Sequence, residues 1–197
     1  MPNSSQMRRT DTPMSEGGGP VSAVQFGAVH VCPLSRVRET LDLTGARHLM
    51  TLINRQTMLE TPHGIETTNH LKIAINDIIA PQEGLTHASA QHVEEVIAFA
   101  RVWGRKGPLV VHCWAGISRS TAAAYISLCA LNPGVPEKLI AQRLREASVF
   151  ASPNRLLVQL ADDILGRRGK MSDAITLIGP AESAAESIPF KLASSFD

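Results

Sequence analysis

Three things are scarce in this sequence, and each scarcity excludes a class of protein. The first is cysteine, because the 197 residues contain only Cys32, Cys113 and Cys129. An odd number of widely spaced cysteines fits neither a disulfide framework nor a CxxC-type zinc site. That usage indicates a reducing compartment, so we expect a cytoplasmic protein.

Excess charge and long apolar runs are the other two scarcities. Lysine and arginine number 19 against 18 acidic residues, for a formal net charge of +1. A dedicated nucleic-acid or polybasic membrane binder needs a surplus of basic residues, so we expect neither partner. No apolar run reaches the roughly 18 residues needed to cross a bilayer. No apolar stretch follows Arg8-Arg9 either, so no secretory signal is expected.

What is present is the composition of one globular domain with low-complexity ends. Hydrophobic residues make up 44% of the chain and charged residues 19%. Residues 1–20 are rich in Ser, Thr, Pro and Gly, which predicts a flexible leader. Residues 179–197 predict a C-terminal tail, although Ile188, Phe190 and Leu192 are able to dock on the body. The domain itself is predicted over residues 21–178.

Short apolar runs alternate with helical patterns along that domain. The runs predict strands at residues 28–34, 48–53, 70–75 and 108–112. Apolar residues at helical spacing predict helices at residues 88–105, 118–131, 136–148 and 153–166. The alternation predicts an α/β fold with a central, mainly parallel sheet of four to five strands flanked by helices. Functional residues are then expected at the carboxyl ends of the strands.

The fourth predicted strand ends in the sequence HCWAGISRS at residues 112–120. This places a thiol, a short loop and an arginine before a helix N-terminus. Backbone N–H groups of such a loop can form an anion cradle, and the helix dipole adds positive potential. The arginine fork can bind two oxygens of a phosphate group. We therefore predict a phosphate site formed by Trp114, Ala115, Gly116, Ile117, Ser118 and Arg119.

Cys113 is the predicted nucleophile of this site. An electropositive loop that binds a phosphate dianion also stabilises a thiolate. Gly116 allows the loop to turn without a Cβ, and Ser120 can offer its hydroxyl to the sulfur. The alternative is a buried strand ending in a core cysteine, with Arg119 and Ser120 as ordinary helix-start residues. A purely structural strand has no need of that small-residue turn.

HCWAGISRS resembles the HCxxGxxRS signature of the cysteine-dependent protein tyrosine phosphatase superfamily. Its AGISRS ending is similar to the dual-specificity branch, and compact bacterial members are the nearest in type. That branch has a strand ending in Asp, then a helix, then the catalytic strand, and the same order is found here in KIAIND, a helix and GPLVVHC. The segment SPNRLLVQLADDIL is similar to the helix that closes those domains. The resemblance covers about residues 25–168. It implies a dual-specificity-like phosphatase fold, with a phosphate-binding loop between strand and helix and with no cofactor or metal.

The resemblance also implies roles for three residues outside the loop. Asp77, at the end of the third strand, is the expected general acid, with Glu83 on the same loop as the alternative donor. Asp77 as a simple turn cap is the structural alternative. His112, by strand alternation rather than by the resemblance, is expected to point away from substrate, to hold the loop by hydrogen bonding and to favour the thiolate. Asn154 is expected either to support the floor of the site or to cap a helix.

Trp114 has two interpretations, an aromatic wall beside the phosphate or packing under the helix start. The remaining histidines are dispersed without metal-ligand spacing, so no metal site is predicted.

Together these features predict a metal-independent phosphomonoester hydrolase that works through a cysteinyl-phosphate intermediate. The expected partners are a phosphorylated protein or a small phosphomonoester, with phosphate, sulfate or vanadate able to occupy the loop. A protein tyrosine or dual-specificity phosphatase is the leading hypothesis. Inositol phosphates, nucleotides and RNA ends are alternative substrates. A non-catalytic phospho-recognition module and a rhodanese-type sulfurtransferase are alternative functions.

Overall fold

The protein is described by a computed structural model that covers residues 27–196. The leader predicted at residues 1–20, and the predicted start of the domain at residue 21, lie outside the described residues. Every predicted strand and helix is found, with ends within two residues of the prediction.

A five-stranded sheet forms the centre of the fold. Its strands are β1 (Val29–Pro33), β2 (His48–Ile53), β3 (His70–Ala74), β4 (Leu109–Cys113) and β5 (Phe190–Leu192). Their order across the sheet is β3-β2-β4-β1-β5. The first four strands are parallel, whereas β5 is antiparallel to β1. The predicted mainly parallel sheet of four to five strands is therefore confirmed.

Both faces of the sheet are covered by helices, as the nearly continuous apolar strands require. The helices are α1 (Val37–Thr44), α2 (Ala90–Trp103), α3 (Arg119–Leu131), α4 (Glu137–Ala147), α5 (Arg155–Ile164) and α6 (Lys170–Leu177). One face carries a small cluster with α1, built around Cys32, Leu41 and Val110. The opposite face carries the main core, which the other helices share.

Helix α3 is the central helix of that main core. Eleven of its thirteen residues are buried, so it has neighbours on almost every side. Because α3 begins directly after the loop that follows β4, a fully buried strand and a largely buried helix hold the two ends of that loop.

Two helices and one strand were absent from the sequence prediction. Helices α1 and α6 have only eight residues each, too few for a clear apolar period. Strand β5 has three residues and lies in the segment predicted as a C-terminal tail. Of the apolar residues expected to be able to dock there, Leu192 is buried and pairs with Val29, whereas Ile188 is exposed.

Candidate active site

The loop between β4 and α3 places a thiol and a hydroxyl side by side at the carboxyl end of the sheet. Cys113 is the last residue of β4, and its side chain is almost completely buried. The Cys113 Sγ lies 3.1 Å from the Ser120 Oγ on the first turn of α3. The predicted contact between this hydroxyl and the sulfur is therefore present.

Each backbone carbonyl of loop residues 114–118 accepts a hydrogen bond from a residue outside the loop. The backbone N–H of Leu34 donates to the carbonyl of Trp114 at 3.0 Å. Ser187 donates twice, from its N–H to the Ala115 carbonyl at 2.8 Å and from its Oγ to the Gly116 carbonyl at 3.1 Å. The last two carbonyls, of Ile117 and Ser118, accept from the N–H groups of Ser152 at 2.9 Å and Asn154 at 3.3 Å.

These outward bonds fix where the loop N–H groups point. In a planar trans peptide the C=O and the next N–H point in opposite directions. A carbonyl that is hydrogen-bonded on the outer side of the loop therefore directs the N–H of the next residue toward the inside of the loop. None of the N–H groups of residues 114–118 donates to another residue within the described range, so all are available to an anion.

Gly116 is required by two features of this loop. Its φ is 71°, in the left-handed region that favours glycine. A Cβ there would lie 2.4 Å from the Ser187 Oγ and 2.7 Å from the Pro33 nitrogen. No other residue type fits this conformation between these neighbours.

Arg119 extends from the start of α3 beneath the loop. It is only 6% exposed, and its Nη1 donates to the Ile75 carbonyl at the end of β3 at 2.8 Å. Its Nε is buried without a hydrogen-bond partner among the described residues, and lies 3.7 Å from the Asp77 Oδ2. An oxyanion in the loop can therefore accept a hydrogen bond from this guanidinium.

Asp77 lies across the site from α3 and is fixed by two donors. Its Oδ1 accepts from the Ser118 Oγ at 2.7 Å and from the Asn154 Nδ2 at 2.9 Å. The Asn154 Oδ1 meanwhile accepts from the N–H of Leu157, which caps α5. Asn154 thus caps α5, one of the two roles expected of it, and also contacts Asp77. Glu83, the alternative donor, is exposed and forms no hydrogen bond or ion pair with a described residue.

His112 points away from the loop and begins a buried chain of hydrogen bonds. Its Nδ1 lies 3.3 Å from the carbonyl of Cys113, which can only accept, so this nitrogen carries the proton. Its Nε2 must then accept from the Thr51 hydroxyl at 2.8 Å. The Thr51 oxygen accepts in turn from the His70 Nε2 at 2.7 Å, and the His70 Nδ1 accepts from Thr61 at 3.0 Å.

Both histidines of this chain are neutral at physiological pH. Burial lowers the pKa of His112 to about 4, and the nearby charge of Arg119 acts in the same direction. Burial likewise lowers the pKa of His70 to about 4, with a smaller contribution from Lys72. The alternating donors and acceptors of the chain therefore stay fixed, and the last donor holds the carbonyl of Cys113.

Trp114 is exposed, and the described residues contain neither a metal-binding cluster nor a membrane-spanning helix. Trp114 is 51% exposed, so its indole is not packed under the start of α3. Within residues 27–196, no group of three or more His, Cys, Asp or Glu side chains is placed to hold a metal ion. Nor does any helix in this range have the length and apolar character needed to cross a membrane.

Sequence reasoning missed the residues that hold the loop from behind. Ser187 carries no motif, and Leu34 and Ser152 contribute only their backbone N–H groups. Thr51 is an ordinary strand residue whose hydroxyl matters because two histidines meet it. No local pattern identifies such contacts, because each depends on which distant segment packs behind the loop.

No protein-family model matches this sequence, and no curated protein is significantly similar to it. Solved structures are similar in fold. DUSP15 has a TM-score of 0.55 at 16% identity, over 79% of this chain and 93% of that one. Human DUSP28 has a TM-score of 0.54 at 19% identity, over 71% and 88% of the two chains. Tk-PTP has a TM-score of 0.51 at 19% identity, over 72% and 93%. This chain therefore has the fold of the dual-specificity and protein tyrosine phosphatases, as its sequence predicted.

Proposed function

We propose that this protein is a metal-independent phosphomonoester hydrolase, a protein tyrosine or dual-specificity phosphatase that acts through a cysteinyl-phosphate intermediate. One observation carries the proposal. The free N–H groups of the loop point inward, and three side chains lie at the same site, namely the Cys113 thiol, the buried Arg119 guanidinium and the Asp77 carboxyl. A nucleophile, an anion cradle and a proton donor are the groups that phosphoryl transfer to a thiol requires.

In the first step the Cys113 thiolate attacks phosphorus as the bond to the leaving oxygen breaks. The N–H groups of residues 114–119 and Arg119 hold the three equatorial oxygens, where the charge of the loose transition state is spread. Asp77 gives its proton to the leaving oxygen. Because Oδ1 already accepts from Ser118 and Asn154, this proton is carried on Oδ2.

In the second step a water molecule attacks the cysteinyl-phosphate, and the phosphorus–sulfur bond breaks. Asp77 now accepts a proton from the water, and inorganic phosphate leaves. The Ser120 hydroxyl, 3.1 Å from the sulfur, donates to the departing thiolate and stabilises it. The cycle returns the enzyme to its starting state without a metal or cofactor.

A phosphorylated protein is the substrate class that the loop favours. The loop side chains Ala115 and Ile117 are apolar, and the loop contains no lysine to bind further phosphate groups. One structure of similar fold, PTPMT1, was solved in complex with PI(5)P, at 14% identity and a TM-score of 0.50. A phosphoinositide is therefore included as a comparison substrate. The three cysteines are free and buried, which supports a reducing, cytoplasmic location.

The test is hydrolysis of an aryl phosphate in the presence of EDTA by wild type, Cys113→Ser, Asp77→Asn and Glu83→Gln. We expect turnover that is abolished in Cys113→Ser, falls about 100-fold or more in Asp77→Asn, and persists in Glu83→Gln. Vanadate inhibition is measured separately without EDTA, because EDTA chelates vanadate. Phosphopeptides carrying phosphotyrosine, phosphoserine or phosphothreonine, together with PI(5)P, then rank the substrate classes.

A catalytically silent phospho-recognition module is the contrasting outcome. It predicts phosphopeptide binding without turnover, and binding that Asp77→Asn leaves intact. Turnover that depends on added metal would contradict the proposed mechanism.

A further inference from the structure

Ser187 belongs to the segment predicted as a tail, yet it forms two hydrogen bonds to the phosphate-binding loop. Its side chain is 5% exposed. Its N–H donates to the carbonyl of Ala115 at 2.8 Å, and its Oγ donates to the carbonyl of Gly116 at 3.1 Å. Two consecutive peptide groups of the loop are thus held by one residue that lies far away in the sequence.

We propose that Ser187 is a positioning residue for phosphate binding, which rests on the proposed function of this loop. Through the two planar peptides, its bonds turn the N–H groups of Gly116 and Ile117 toward the bound phosphoryl oxygens. Ser187 does not touch substrate itself. It acts by fixing two of the donors that do.

The Ser187 backbone is well placed for this task because the chain is anchored on both sides of it. Just before it, Glu186 accepts a hydrogen bond from the Ser35 hydroxyl at 2.7 Å. Just after it, Phe190 pairs with Val31 where β5 joins the edge of the sheet. The segment therefore cannot drift away from the loop without breaking contacts on two sides.

The hydroxyl has a specific task because Gly116 is adjacent to it. A glycine at positive φ has no Cβ to resist rotation of its peptide group. Without the Oγ of Ser187, the Gly116 carbonyl loses its donor and is free to turn inward. That rotation would aim a carbonyl oxygen at the phosphate and remove the N–H of Ile117 from the cradle. An anion would then meet one repulsive dipole and one fewer donor.

The test compares Ser187→Ala with Ser194→Ala, a matched control in the same part of the chain. Ser194 is also buried, at 2% exposure, but its Oγ has no hydrogen-bond partner among the described residues. Dissociation constants for tungstate, a tetrahedral oxyanion, are measured by calorimetry. KM and kcat for an aryl phosphate and thermal unfolding midpoints are measured on the same samples.

We expect Ser187→Ala to bind tungstate about tenfold more weakly, as expected when one hydrogen bond to a charged ligand is lost. Ser194→Ala should bind like wild type, and its unfolding midpoint should not fall, because the hydroxyl it removes has no partner among the described residues. By amide NMR, tungstate should shift the Gly116 and Ile117 resonances of wild type, and the Ile117 shift should be lost in Ser187→Ala. If the alanine variant does not fold, Ser187→Cys, which keeps the volume but offers a weak donor, should weaken binding in the same direction.

Equal tungstate affinity in wild type and Ser187→Ala would overturn the role of Ser187. So would an equal loss in Ser194→Ala, because that would indicate general destabilisation. A wild type that neither binds tungstate nor hydrolyses the aryl phosphate would instead refute the proposed function of the loop.

Discussion

Asn154 links Asp77, the proposed general acid, to the start of α5, and a single substitution separates these two contacts. Asn154→Ser keeps a side-chain oxygen that can cap the helix, since serine and asparagine are comparable N-caps. It removes the amide that donates to the Asp77 Oδ1 at 2.9 Å. We therefore expect the free energy of unfolding to change by only a few tenths of a kcal/mol from the cap itself, while catalysis is impaired.

The size of the catalytic loss follows from the contacts of Asp77. Its Oδ1 keeps one donor, the Ser118 hydroxyl at 2.7 Å, when Asn154 is replaced. Asp77 becomes charged as it gives up its proton, and one hydrogen bond to a charged group contributes about 1.5–3 kcal/mol, which corresponds to a rate loss of about 10- to 100-fold. General acid catalysis as a whole is worth about 10²–10⁴-fold, so the variant should be slower than wild type but faster than Asp77→Asn.

A series of aryl phosphates with increasingly basic leaving groups provides the assay. A leaving oxygen that is already a stable anion needs little protonation, whereas a basic one depends on Asp77. The loss in Asn154→Ser should therefore grow along the series, whereas urea unfolding should show a stability loss of about 1 kcal/mol from the amide's bonds to Asp77 and to the Ile78 carbonyl. A loss of the same size for every leaving group, or none at all, would refute the assigned link between Asn154 and the acid.

Three further predictions concern the loop and the residues behind it. Gly116→Ala should lose aryl phosphate hydrolysis by more than about 100-fold in steady-state assays, because its Cβ would lie 2.4 Å from the Ser187 Oγ and distort the proposed phosphate-binding loop. Arg119→Lys should raise the dissociation constant for tungstate about tenfold or more, since one ammonium cannot both reach the Ile75 carbonyl and offer a fork to the anion; unchanged affinity would contradict this. Burial lowers the pKa of His112 to about 4 in the folded protein. Between pH 6.5 and pH 4 the unfolded chain therefore binds a proton at this residue that the folded protein does not. The free energy of unfolding falls as pH decreases through that window. Urea unfolding should give a free energy lower at pH 5 than at pH 7 by about 2 kcal/mol for each of His112 and His70, and equal values at the two pH values would show that neither is held neutral.

The sequence was sufficient to predict which residues lie together at the candidate site, because one continuous segment contains most of them. Residues 112–120 form a strand end, a turn and a helix start, and the periodic patterns around them predict the sheet that holds them. Asp77 could be predicted because the carboxyl ends of parallel strands share one edge. For these groups, local pattern and topology were enough.

The supporting contacts could not be predicted, for a physical reason. Ser187 reaches the loop because β5 pairs with β1 at the edge of the sheet. A three-residue strand such as β5 is too short to leave a periodic pattern in the sequence. Thr51 joins the two histidines because three parallel strands place its hydroxyl between His70 and His112. Such contacts depend on the register of strands and the path of a loop, which composition and spacing do not determine.

The path of the chain around the loop has a consequence for how the proposed activity would be gained during folding. Gly116 and Ser187 are separated by 71 positions, Arg119 and Ile75 by 44, and Ser118 and Asp77 by 41. Contacts between such distant positions carry a large loop-closure entropy and tend to form late. A partly folded chain can therefore present the Cys113 thiol without an ordered set of N–H donors. Hydrolysis would then report complete tertiary assembly, whereas reactivity of the thiol alone would not.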